Sequence, residues 1–257
     1  MAITRRALIE LAALAPILGA TMPARAEAAT PLIARLIGET RDRPVAARIA
    51  LISHALKGRP YRAHTLIGGP DRPEQFVVRD DAFDCVTYCE VVLAAALSRD
   101  GAGFESMLKR IRYARGEVSW RTRNHYFSEW IDEAVRIGIA HRPPIGPVVR
   151  IDRTVDHSPF GRRRVIINAL ERDAFSGRRR QLASGDIVGF VARRPALDFF
   201  HTGFVMFDGQ GRWLLRHASQ RYGRVVDEPM DTFLAANRVR HIAVLRANDP
   251  AALALSR

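Results

Sequence analysis

Apolar positions recur every three to four residues through residues 31–56 (Leu32, Leu36 and Ile37, then Ala46, Ile49 and Ile52), the spacing of two amphipathic helices. Gly58-Arg59-Pro60-Tyr61 and Gly68-Gly69-Pro70 then mark turns. Asp84 stands where it can cap a helix that runs through Val86, Val91, Val92 and Leu97 to a stop near Gly101. Thr87 with Glu90 three residues later offers a second cap. Further helices are predicted over 104–112 and 127–137. Residues 143–183 follow neither period, mixing prolines, β-branched runs and arginine triplets. Beyond them apolar residues alternate, which predicts strands over 186–191, 201–207, 213–219 and 239–245. Asp208-Gly209-Gln210-Gly211 reads as a hairpin turn between the second and third of these. Helices first and strands later predict an α+β domain, a helix packed on an antiparallel sheet.

The first residues break from this pattern. Arg5-Arg6, an apolar run over 7–20 interrupted only by Glu10, and then Ala24-Arg25-Ala26 form the order of a cleavable signal peptide. That predicts a leader over 1–26 and a single domain over 27–257, with an insertion near 143–183. The apolar run is shorter than the roughly 20 residues of a membrane span. The mature chain is therefore expected in the periplasm or cell envelope, without a stable membrane span.

Composition adds a formal charge of +13, and 38 of the 40 basic residues are arginine. Such a balance suits acidic polymers, a membrane surface or nucleic acid, or simply reflects an arginine-biased genome. Arg162-Arg163-Arg164 and Arg178-Arg179-Arg180 lack the interleaved aromatics that stack single-stranded bases. With export, this argues against a nucleic-acid partner.

Two cysteines, Cys85 and Cys89, complete the composition. Four apart on one helix, they are poorly placed to bridge, and an exported protein that keeps a thiol invites a catalytic reading. Cys85 falls in the first helical turn, where free N–H groups favour a thiolate and can hold an oxyanion. Cys89 reads as a core residue. If the hairpin loop is 208–212, Phe207 faces Trp213, and His201 and His217 share a face about 7–8 Å apart on the diagonal. Val205 and Leu215 share that face, whereas Arg216 points away. A thiol, an imidazole base and a second imidazole that orients it form a nucleophile–base–orienter set. The competing arrangement is a zinc site from Cys85, Cys89, His201 and His217, although the histidine spacing is unlike that of a zinc finger. The enzyme reading calls for no metal and no cofactor.

Phe83-Asp84-Cys85, Ser184-Gly185-Asp186-Ile187-Val188, His201-Thr202-Gly203-Phe204-Val205 and His217-Ala218-Ser219 resemble the motifs of the NlpC-type, papain-like cell-wall hydrolases. Cys85-Val86-Thr87 with Glu90, Arg112-Tyr113, and Arg123-Asn124-His125-Tyr126 with Trp130 resemble the N-acetylmuramoyl-L-alanine amidase-like branch of that superfamily. The resemblance spans residues 58–246. It implies a papain-like core, Cys85 as nucleophile, His201 as general base and His217 as polar third member. Tyr61 matches a tyrosine lining the oxyanion site, though it lies further upstream than in most relatives; a core tyrosine is the alternative. Asn124, His125 and Tyr126 are expected either to contact substrate or to form a helix cap with a packed aromatic. The implied reaction is hydrolysis of the amide between N-acetylmuramic acid and L-alanine in peptidoglycan or its muropeptides. The alternatives are a stem-peptide endopeptidase and a basic envelope-binding protein without catalysis.

Overall fold

The fold is described from a computed structural model, which covers residues 29–156 and 160–250. The predicted leader lies outside the described residues. Helices α1 (Pro31–Thr40), α2 (Val45–Ala55), α3 (Cys85–Leu97), α4 (Gly101–Arg112) and α5 (Phe127–Arg136) occupy the first half, with a short pair of strands, β1 (Ile67–Gly69) and β2 (Arg72–Gln75), between α2 and α3. The second half holds β3 (Ala140–His141), β4 (Val149–Asp156), β5 (Arg162–Glu171), α6 (Arg172–Gly177), β6 (Ile187–Val191), β7 (Phe199–Phe207), β8 (Trp213–Ser219), β9 (Arg224–Pro229), α7 (Met230–Ala236) and β10 (His241–Ala247).

The main sheet runs β4-β5-β10-β6-β7-β8-β9, with β3 on β10, and its pairings are antiparallel. Against its centre lies α3. Every residue of this helix from Thr87 to Leu97 is buried, so it is a core helix enclosed on all sides rather than an amphipathic one. The alanines at 94, 95 and 96 keep it thin enough for neighbouring helices to approach. Phe204, Met206 and Ala218 of the sheet join α1–α5 in one apolar core. The opposite face buries Val188, Phe190, Val205 and Leu215 under Phe175 of α6 and Met230, Phe233 and Leu234 of α7.

The predicted elements shift at their ends for local reasons. Helix α4 starts three residues before the predicted 104, because the Asp100 carboxylate accepts the Gly103 amide at 2.7 Å. Asp84 takes the cap of α3 with Thr87 as its reciprocal partner, so Glu90 is not part of the cap. Within 143–183, illegible by period, the described residues include strands β4 and β5, which pair as a ribbon, and α6. That ribbon pairs from Val149 with Ala169 to Asp156 with Arg162, and arginines occupy many of its outward positions. Strand β9 and helix α7 are additions that the hydrophobic pattern did not predict.

Candidate active site

Cys85 is the first residue of α3. Asp84 Oδ1 accepts the amides of Val86 at 3.0 Å and Thr87 at 2.8 Å, and Thr87 Oγ1 accepts the Asp84 amide at 3.0 Å. The cap therefore consumes two of the first-turn donors. The backbone amides of Thr202 (on β7), Cys85 and Val86 favour the charged form of the Cys85 thiol. Their influence is smaller than expected: burial, reinforced by the Asp84 carboxylate, pushes the thiol up to about 12. Helix-start position alone thus does not give a resting thiolate, contrary to the expectation from sequence.

Tyr61 is brought to the cysteine. Its backbone bridges Phe83, and burial together with the nearby Cys85 and Asp84 raises its hydroxyl. Tyr61, Cys85, Asn124, His125 and Tyr126 line one cleft of about 540 Å³. Within it Asn124 Nδ2 donates to the Ile111 carbonyl at 3.0 Å, and a His125 ring nitrogen pairs with the Trp120 carbonyl at 2.7 Å. The His125 ring also lies edge-on to Trp120, which stacks on Phe160. The Tyr126 hydroxyl donates to the Asp156 carbonyl. These three side chains serve the architecture of the wall while also facing the cleft.

Two buried ion pairs stand behind that wall. Arg112 Nε donates to Glu90 Oε2 at 2.8 Å, and both side chains are 2% exposed. Glu74 accepts the Tyr113 hydroxyl at 2.8 Å and the Arg123 guanidinium. Gly68, at φ +149°, makes room for this second cluster, since a Cβ there would fall 2.0 Å from Glu74 Oε2. Sequence reading singled out Glu90, Arg112 and Arg123 without pairing them, and Glu74 not at all.

The hairpin register is the one read from the alternation. Phe207 pairs with Trp213, Val205 with Leu215 and Phe204 with Arg216. Arg216 turns toward the α3 face and forms a two-point pair with Asp227 at 2.6 and 2.9 Å. His201 and His217 turn the other way and meet, Nε2 to Nδ1, at 2.6 Å. Gly203 permits this contact, because a Cβ there would lie 2.8 Å from the Arg216 carbonyl oxygen and 2.9 Å from His217 Cβ. The His201 ring packs among Phe190, Phe200 and Phe233, and desolvation pulls it down to about 3, with His217 adding to the effect. Burial likewise takes His217 to about 4. Both imidazoles are neutral at pH 7.

Strand β7 thus meets the two halves of the site on its two faces. The Thr202 amide favours the Cys85 thiolate, and the adjacent His201 carries its ring to the α7 face. There His201 and His217 line a second cavity, of about 300 Å³, together with Glu228. Cys89 is fully buried on the α3 face, its sulfur 3.8 Å from Thr202 Oγ1. The four atoms of the alternative zinc set therefore do not converge, and among the described residues no group of three or more His, Cys, Asp or Glu is arranged to hold a metal ion.

A family model described as AmiA-like, N-acetylmuramoyl-L-alanine amidase-like, matches residues 51–143 and 167–241, more than half of the chain. The chain belongs to this amidase-like family. The matched segments of the amidase-like chain contain Tyr61, Cys85, Asn124, His125, Tyr126, His201 and His217. An N-acetylmuramoyl-L-alanine amidase from Bacteroides uniformis is similar in structure, with 26% identity, a TM-score of 0.67, and coverage of 80% of this chain and 99% of its own. A Legionella pneumophila protein shares the fold at 22% identity and a TM-score of 0.75, covering 84% of this chain and 93% of its own. A Bacteroides fragilis structure provisionally named a xylanase aligns at 25% identity and a TM-score of 0.65, over 76% of this chain and 98% of its own. No curated protein matches the chain.

Proposed function

We propose that this amidase-like protein is an exported cysteine hydrolase of NlpC type, and that it cleaves the amide between N-acetylmuramic acid and L-alanine in peptidoglycan fragments. The observation that carries the reading is the His201–His217 hydrogen bond, with His201 next in sequence to Thr202, whose amide favours the Cys85 thiolate. The family match and the Bacteroides uniformis amidase point to the bond. Because thiol and imidazole both rest neutral, proton transfer accompanies attack rather than preceding it. His201, whose ring makes no direct hydrogen bond to the Cys85 sulfur among the described residues, takes the thiol proton through a bridging water as sulfur adds to the lactyl carbonyl, and the same route returns it to the departing alanine nitrogen. Donors beside the sulfur, the Cys85 amide with the Tyr61 hydroxyl, face the developing oxyanion. Water activated by His201 then frees the muramoyl acid from the acyl-enzyme.

Glycosidase chemistry is less well served. It requires two free carboxyl groups flanking the bond, whereas Asp84 caps a helix and Glu90 is ion-paired in this cleft. The test is digestion of defined muropeptides followed by mass spectrometry. Free sugar with an intact stem peptide beginning at L-alanine is expected; muramoyl-dipeptide with a shorter peptide would establish the endopeptidase alternative instead.

A further inference from the structure

Whether His201 can accept a proton depends on which of its nitrogens already carries one. Its Nε2 is engaged with His217 Nδ1 at 2.6 Å, so Nδ1 is the nitrogen left to act as base. A neutral imidazole with a free lone pair at Nδ1 carries its hydrogen at Nε2. His201 Nε2 must then donate, and His217 Nδ1 must accept. It follows that His217 carries its own hydrogen at Nε2. That nitrogen is buried and makes no aligned hydrogen bond, a costly state for a polar atom. What faces it is Oε2 of Glu228, 3.3 Å away, with side-chain exposures of 2% and 5%. The register explains the approach: Val226 is the pair of His217, and Glu228 lies two residues on, on the same side of β9.

We propose that Glu228 is a positioning residue of this site: its carboxylate fixes the Nε2–H form of His217 and thereby leaves Nδ1 of His201 free for the Cys85 proton. The inference rests on the cysteine-hydrolase reading above. In the proton transfer the S–H bond of Cys85 breaks and an N–H bond forms at His201 Nδ1. His201 becomes an imidazolium, and no proton leaves Glu228. Its negative charge, 3.3 Å from His217 Nε2 and beyond the His201–His217 hydrogen bond, steadies the cation through His217. The groups around this row are Arg221 and Tyr222, which favour the charged form of Glu228 against its burial, and Asp227, which favours a proton on His217. The α7 side contributes the uncharged Phe233 and Asn237.

Nitrogen NMR of the histidine rings in the resting protein reads the claim without turnover. His217 should be in the Nε2–H form in the wild type and a mixture in Glu228→Gln. Turnover of muropeptide by Glu228→Gln should fall about 10- to 100-fold in kcat, with KM within twofold, and Glu228→Asp should recover part of it. A wild-type His217 in the Nδ1–H form overturns the proposal, whether or not the variant folds. So does a folded Glu228→Gln with unchanged kcat and unchanged tautomer. If Cys85→Ala and His201→Ala are inactive while Glu228→Gln is not impaired, only this inference fails. Activity in Cys85→Ala would sink the hydrolase reading itself.

Discussion

Two rows of buried polar groups flank β7 and α3, and they are built on opposite terms. On the cleft side two acids have arginines: Glu90 with Arg112, and Glu74 with Arg123. Arginine stays protonated at any ordinary pH, so these pairs hold fixed charge and fixed shape. On the α7 side the row is His201, His217 and Glu228, and its two imidazoles are held neutral by desolvation. A row of this kind changes charge state when a proton arrives. On the proposed reading the contrast separates a frame from a working part.

The largest effect should come from the proposed nucleophile. Cys85→Ala is expected to lower muropeptide turnover by more than about 10³-fold, and His201→Ala nearly as far. Cys89→Ala, a small truncation of a buried side chain, should stay within a few-fold. Comparable loss in both cysteine variants, each folded by circular dichroism, would break the distinction between the site and the core.

Next comes the frame. Arg112→Met strands the Glu90 carboxylate in the core, and urea unfolding should show a loss of about 3–5 kcal/mol. Pairing it with Glu90→Leu should restore much of that, because removing both charges leaves none unpaired. If Arg112→Met unfolds like the wild type, the pair is not the rigid element described here.

The smallest effect is the dependence of stability on pH. Both histidines have folded-state values below the ordinary 6.5, near 3 and 4. The unfolded chain therefore binds protons first. Stability contributed by their neutral burial is complete above about pH 6.5 and is lost as pH falls toward 4. The loss from pH 7 to 5.5 should be on the order of 1 kcal/mol for each histidine. His217→Asn should flatten the profile across that window. An unflattened profile would place the acid sensitivity elsewhere.

Much of this was legible in sequence because it depended on local alternation. The 208–212 loop and the alternating residues beside it fix the β7–β8 register, and that register alone brings His201 to His217. Asp84 as cap and Cys89 as core follow equally from short-range pattern. What escaped were pairings between distant elements. Glu228 lies on a strand introduced by Tyr222-Gly223, whose alternation covers only a few residues, and its role depends on a neighbour eleven positions earlier. Glu74 meets Arg123 and Tyr113 only through the packing of β2 against α4 and the segment before α5. The rise of the Cys85 thiol was hidden for another reason: a helix start is visible in sequence, but the water excluded around it is not.

Gly203 carries a consequence for the tolerance of this chain to change. Its backbone is ordinary strand, so flexibility is not what is required there. A methyl group at 203 would press on Leu215 Cδ1, the Arg216 carbonyl and His217 Cβ together, each within 2.9 Å of where it would stand. The β8 strand would have to retreat, and a 2.6 Å contact between two rings has no slack to absorb the shift. In a saturation library, position 203 should therefore return a single letter among active clones. Its neighbour Thr202, buried and donating its hydroxyl to the Val188 carbonyl at 2.8 Å, should return only the few that keep that bond.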